Sequence, residues 1–443
     1  MSNFVRLWGA YLFVMVICTV ANSQDLVFPT WTTDLGKSVG PMALNDDFLV
    51  IGSLDEPSNS AVLNCLDRKN GKILWRTKTK RLGAPQLDNP SRGISSLPAM
   101  TDRHVVVLNN RAELICHSLK PQENGIPEIV WSHDFRKDFG VFKRDDIGVG
   151  RPVASPVISD DRVLCATSNG STLGIERFFD GEKYVPSPNA PACISVSLTS
   201  GKVLWTNNDA SKQTIHSSVA PPAPFKLSDN REVLFFAGGD AIARVFDVRD
   251  GETIASSKRS PANWSWVQPI DCGSHIVVCS SIPPGNKLSS NIKINSFIVG
   301  YLKKAIREDG LLTPDWKISS PEYSNTFVPP VENSGILFVM SESGELLAID
   351  SKVGRVIWKE ETDYETWDFP HMTTWRQLVF VPVGTQLHIY SAKSTKELIR
   401  KVDVGFPIYS RVVVKDRKLY CTDSKSVHEF ELKDVLGYKT ETF

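Results

Sequence analysis

Seven residues carry most of the chemistry that this 443-residue chain advertises: Arg151, His216, Trp264, Trp266, Trp367, Asp368 and His371, with Trp375 close by. The run Tyr364-Glu365-Thr366-Trp367-Asp368-Phe369-Pro370-His371 is the densest part of the set. Indole faces interleaved with a few charges suit a sugar, a quinone or a peptide segment. The same rings also suit plain packing as plugs of an internal channel, and the two histidines suit ordinary satisfied hydrogen bonding. Both readings stay open at the level of sequence.

Other chemical signals are thin. Neither a His-Glu-x-x-His nor a Cys-x-x-Cys occurs. Gly36-Lys37-Ser38-Val39-Gly40 has the letters of a nucleophile elbow, but that motif needs a helix behind it and a strand follows here. It is no phosphate loop either, because Trp31 stands where the leading glycine belongs. Asn169-Gly170-Ser171 and Asn263-Trp264-Ser265 are glycosylation sequons. Lys plus Arg and Asp plus Glu number 50 each, so no net field favours a polyanion and nucleic-acid binding is disfavoured.

Residues 1–23 hold one basic residue, Arg6, then the apolar run Leu7 to Val20 and a small-residue exit at Ala21-Asn22-Ser23. That layout predicts a cleaved secretory signal, a mature chain of residues 24–443, and a periplasmic or extracellular location with no membrane span. Cys18 leaves with the signal. Of the remaining cysteines, those inside strands read as small buried hydrophobes, and only Cys272 with Cys279, across one hairpin, offers a pair for a bridge.

What positions all of these residues is a repeat. Eight times a proline is expected at the end of a short apolar strand, followed by a polar turn and a hydrophobic strand: Pro41, Pro98, Pro156, Pro221, Pro269, Pro330, Pro370 and Pro407. Behind most comes an apolar strand, a turn with glycine, and a strand carrying tryptophan, as in Asp67…Gly71…Trp75, Gly201…Trp205 and Asp350…Gly354…Trp358. Repeats made only of strands must stack around an axis to bury both faces of each sheet, which predicts a β-propeller. The last repeat ends at Val427–Leu432 without a tryptophan strand, while Phe28 to Asp34 is such a strand with nothing before it. Pairing the two ends gives one domain of eight four-stranded blades, about 52 residues each.

These motifs resemble the tryptophan-docking repeats of the pyrroloquinoline quinone (PQQ)-like propeller superfamily. It includes PQQ-dependent dehydrogenases, the lipoprotein propeller of the outer-membrane β-barrel assembly machinery and many exported bacterial proteins. The stretch from Gly150-Arg151-Pro152 through Val185-Pro186-Ser187-Pro188 to Trp205 looks most like the exported group common in planctomycete-type bacteria. The resemblance implies that Trp75, Trp205, Trp316 and Trp358 lock neighbouring blades. For the dehydrogenase branch it implies PQQ with calcium, yet the adjacent cysteine pair of the alcohol-oxidising enzymes is missing and no catalytic residue carries over.

Long connections at 77–93, 134–148, 168–191 and 280–293 fall on the face that holds the second-to-third-strand and blade-to-blade loops. Binding concentrates on long loops over a rigid scaffold. The expected function is therefore an exported, non-catalytic scaffold, a monomer or a member of a hetero-complex, binding a protein or polysaccharide through that face. The alternative is a PQQ-binding dehydrogenase-like enzyme acting on an alcohol or sugar.

Overall fold

The computed structural model describes residues 25–37, 39–80, 93–94, 96–109, 111–141, 154–170, 187–214, 217–260, 265–281, 296–307, 310–319, 323, 326–363 and 371–437. The expected signal, 1–23, lies outside the described residues. Within them the chain forms eight antiparallel sheets of four consecutive strands, as the repeat requires. Blade one is Met42–Leu44, Phe48–Asp55, Ser60–Asp67 and Ile73–Lys80. The later blades begin at innermost strands Ala99–Met100, Val157–Ser159, Ala223–Lys226, Ile270–Cys272, Val331–Asn333, Thr373–Trp375 and Val413–Lys415.

The hydropathy of each strand follows its place in the blade. Second strands such as Ile336–Met340 and Leu378–Val383 are buried on both faces because a neighbouring blade covers each side, so their sequences are continuous apolar runs. Fourth strands at the rim alternate, as in Ile73–Lys80, where buried Trp75 is followed by exposed Arg76, Lys78 and Lys80 with half-buried threonines between them. The core is therefore a series of inter-blade layers; one contains Leu108, Trp131, Cys165, Ile194 and Phe236 from three successive blades.

One joint recurs between blades. The Asp67 carboxylate accepts from Lys69 N at 2.8 Å, and Gly71 N donates to Asp67 O at 2.9 Å, closing the turn before the fourth strand. Gly71, Gly201, Gly251 and Gly354 hold φ between +66 and +74°, and each lies under the indole of the preceding blade. A Cβ at Gly201 would sit 2.5 Å from the Trp131 ring. The indole N–H then reaches a carbonyl of the neighbour: Trp75 to Leu119 O at 2.8 Å, Trp131 to Leu198 O at 2.7 Å, Trp205 to Val248 O at 2.9 Å and Trp316 to Ser351 O at 3.2 Å. Trp358 instead packs on Tyr390, in the blade whose turn lacks the glycine, and its N–H has no acceptor.

The ends close the ring as the sequence predicts. Trp31–Asp34 is the fourth strand of blade eight, with Trp31 opposite Glu429 and Asp34 opposite Ser426. Trp31 in turn covers Gly71 of blade one. Between blades seven and eight an arginine replaces the tryptophan. Arg400 donates to Asp434 O and Val435 O at 2.9 and 3.0 Å, at the end of helix Leu432–Leu436, and pairs with Asp25 at 2.8 Å.

Three features differ from the sequence reading. Asp25–Leu26 adds a fifth, parallel strand outside blade seven, and Gly310–Leu312 does the same for blade four, too short for a periodic signal to reveal. The prolines enter the inner strand rather than end it, and Pro222 rather than Pro221 holds that slot in blade four. In blades seven and eight the slot belongs to Met372 and Val412; Pro407 lies well upstream of Val413–Lys415, and Pro370 is outside the described residues.

The tryptophan joint gives a graded prediction. Trp131→Ala lowers unfolding free energy by about 3–5 kcal/mol. Gly201→Ala also destabilises, through its positive φ and the ring above it. Trp358→Phe costs less than Trp131→Phe by roughly 1 kcal/mol, one net hydrogen bond. Guanidinium unfolding of the four variants measures all of this; equal costs for the two Phe variants would contradict the hydrogen-bond assignment.

Candidate functional site

The first residues of the inner strands define the mouth of the channel on the face that carries the blade-to-blade and second-to-third-strand loops. Two places before the inner strand stand, blade by blade, Gly40, Leu97, Ser155, Pro221, Gln268, Pro329, His371 and Arg411. Neighbours in this ring touch. Leu97 N donates to Ser155 Oγ at 2.8 Å, Gln268 Nε2 to Pro222 O at 2.8 Å, and Val412 N to His371 O at 3.2 Å.

Of the seven residues singled out from sequence, Trp266 and His371 are described; Arg151, His216, Trp264, Trp367 and Asp368 lie outside the described residues. Trp266 is buried and meets Phe327 edge-on at 5.8 Å. The two rings occupy equivalent places in blades five and six. Ser265 Oγ bonds Val267 O and Thr326 Oγ1 bonds Val328 O, both at 2.9 Å, forming the same local turn around each aromatic. Trp266 is thus a repeat-position packing residue, and the Ser-Trp-Val and Thr-Phe-Val correspondence is the signal that could have said so. Trp375 sits at the opposite end of its inner strand from the mouth, stacked with the Arg376 guanidinium at 4.6 Å.

His371 is on the wall of the mouth: it keeps partial solvent contact while protein surrounds it. Burial and then the nearby Arg411 cation push its imidazole down to about 3, so it is neutral at physiological pH. Arg411, the next member of the ring, is missing from the sequence reading. Its register relative to Val413–Lys415, identical to that of His371 relative to Thr373–Trp375, was the available clue. Burial alone lowers its guanidinium from the usual range.

Elsewhere on this face, Asp240 and Arg244 form a buried bidentate pair at 2.6 and 2.9 Å in the loop of blade four, a structural clamp. A groove of about 700 Å³ between blades eight and one is lined by Lys37, Asp55, Glu56, Arg76, Lys78 and Lys425. Its exposed pairs, Lys37–Glu56 and Lys78–Asp55, contribute little to stability. Helix Phe135–Phe139, capped by Asp134, rises from the loop between blades two and three, with Phe135 anchored in the core.

Among the described residues no three His, Cys, Asp or Glu side chains converge as a calcium cage would require. Cys272 and Cys279 are free thiols, as are Cys65, Cys116, Cys165, Cys193 and Cys421, all of them buried. The register explains the unmade bridge: Cys272 faces His275 across the hairpin, which leaves Cys279 farther along the strand. Burial raises every one of these thiols, Cys65 and Cys116 to about 12. They are accordingly poor nucleophiles.

Two predictions follow from these buried groups. The seven thiols stay silent to a thiol reagent in native protein and all react after denaturation; fast labelling of native protein would contradict their burial. His117 and His388 have imidazoles lowered to about 4, and His371 to about 3, chiefly by burial. Below a pH of about 6.5 the unfolded chain binds protons that the folded chain refuses. Stability is therefore full above that pH and declines as pH falls toward about 4. The slope is at most about 1.4 kcal/mol per pH unit for each histidine. His117→Gln reduces that slope in unfolding curves from pH 7 to 4; an unchanged slope would contradict the assignment.

Comparison with known proteins agrees with this architecture. The protein-family profile described as outer membrane protein assembly factor BamB matches residues 58–263. No curated protein matches the sequence. Among solved structures, BamB from Moraxella catarrhalis superposes with a TM-score of 0.57 at 12% identity, covering 91% of this chain and 97% of that one. The computationally designed Ika8 protein gives 0.57 at 9% identity, covering 92% and 99%. Sqt1 of Saccharomyces cerevisiae gives 0.57 at 10% identity, covering 92% and 100%. At such identities the likeness is one of fold. None of these matches bears on the narrower likeness to planctomycete-type proteins. The profile match spans almost four blades and is a similarity of that part of the chain to the BamB family; the chain as a whole has the fold of an eight-bladed β-propeller with tryptophan joints.

Proposed function

We propose that the chain is an exported, non-catalytic scaffold that binds a protein partner through its long-loop face. The observation that carries this reading is the asymmetry of the two faces. The turns between third and fourth strands are mostly tight, as at Asp67–Gly71, Ser197–Gly201 and Asp350–Gly354, while the strands joined by the longest stretches of sequence end and begin at the channel-mouth face, which also carries helix Phe135–Phe139. The family profile supports it, since its description names an assembly factor. So does the chemistry of the described titratable groups. The thiols and His371 are held in their neutral forms by burial, and Asp240 is clamped by Arg244. A polysaccharide partner and a PQQ enzyme remain outcomes of the test.

A photo-crosslinking residue placed at Lys137, exposed on the helix of the long-loop face, captures one discrete protein in cells that export the chain. The same group at Lys352, in a tight turn of the other face, does not. Capture from Lys352 alone would reverse the assignment of faces. Absence of any capture, together with dye-linked turnover of an alcohol or sugar after addition of PQQ and calcium, would replace the scaffold with the enzyme.

A further inference from the structure

Among the described residues at the channel mouth, Arg411 has no partner of its own in the fold. Arg411 is half-buried on the channel wall and keeps partial solvent contact, and among the described residues no carboxylate pairs with it and no hydrogen bond satisfies it. Other half-buried or buried arginines are held by partners, although Arg162 Nη1, away from the mouth, is also buried without an acceptor. Arg244 is clamped by Asp240, Arg68 reaches Asp416 at 2.7 Å, and Arg400 reaches two carbonyls and Asp25. Protein packed around a charge without a partner removes part of its hydration and gives nothing in return. Groups kept at such a cost are characteristic of binding sites.

Its neighbour fits the same purpose. His371 is the adjacent member of the ring, tied to the Arg411 segment through the bond from Val412 N to His371 O at 3.2 Å. A neutral imidazole beside the guanidinium adds a hydrogen-bonding group without a second charge. The six other ring positions are Gly, Leu, Ser, Pro, Gln and Pro, so among the described residues of this ring none repels an anion. A guanidinium fork with one neutral donor beside it matches a planar carboxylate.

We propose that Arg411 and His371 form a carboxylate-binding site at the channel mouth, which anchors an acidic side chain or chain end of the partner. The inference rests on the long-loop face being the working surface, but the site can be tested without any partner. Isothermal titration of the purified protein uses citrate in one arm and a short Asp/Glu-rich peptide in the other, at low salt. Binding in either arm supports the site, and tighter binding of the peptide assigns it to a protein partner while tighter citrate assigns it to a soluble polycarboxylate. Arg411→Gln weakens binding about tenfold or more, and Arg411→Lys, which keeps the charge but loses the fork, weakens it less.

Thermal unfolding supplies the second readout. Arg411→Met leaves the melting temperature unchanged or raises it, because it removes an uncompensated half-buried charge. A clear drop would show that the guanidinium serves the fold and would overturn the proposal. So would affinity unaltered in Arg411→Gln, or no binding of either probe. Carboxylate binding without photo-capture at Lys137 would sink the scaffold reading and leave the site intact; capture without carboxylate binding would do the reverse.

Discussion

Blades three, four and six are each fixed by what their predecessor lays on them: an indole resting on backbone where no Cβ fits, with its N–H given to a carbonyl of the next sheet. A four-stranded sheet alone leaves two apolar faces in water, so no blade is stable by itself, and the order of the ring is set by this contact. The glycine and the tryptophan are two halves of one device. Gly201 has value only because Trp131 covers it, and Gly71 only because Trp31, from the far end of the chain, does the same. In blade seven, whose turn after Tyr390 lacks the glycine, the Trp358 indole still packs but its N–H has no acceptor.

The joint that departs furthest lies where both ends of the described chain gather. Arg400 holds the carbonyl end of the last helix and the Asp25 carboxylate at once, so the guanidinium does for blades seven and eight what indole does elsewhere. Closure thus rests on polar contacts as well as on the strand Trp31–Asp34. Around blade eight these are reinforced by Tyr420 Oη on Glu429 at 2.8 Å and by Thr32 Oγ1 with His428 Nδ1 at 2.9 Å. The rigid ring that results holds His371 and Arg411 in register at the mouth.

The blade count, the closure and the tryptophan joints were legible because each repeats, and repetition exposes a constraint that a single copy hides. Gly71, Gly201 and Gly354 stand at one offset from their aspartate or serine in every intact turn, and the absence of a fourth strand after Phe430 matched the orphan strand at Trp31. The site was legible only where it broke the repeat. Trp266 drew attention by its size, yet its equivalence to Phe327 marks it as packing. Arg411 escaped notice because Pro407, taken as the repeat proline, shifted the apparent start of blade eight upstream, hiding that Arg411 and His371 share one slot. Fifth strands of two or three residues, such as Asp25–Leu26, carry no periodicity and could not be read at all.

The account stands on the closing of the ring by the N-terminal strand. Native-state hydrogen exchange of Leu35, whose N–H donates to Lys425 O at 2.9 Å, and of those amides in Trp31–Asp34 that point toward Ser426–Glu431 tests it most directly. The account predicts that they exchange only with global unfolding, in step with the amides of Ser426–Glu431 in the same blade. Exchange of these amides at the rate of an unpaired chain, while Ser426–Glu431 stays protected, would contradict it.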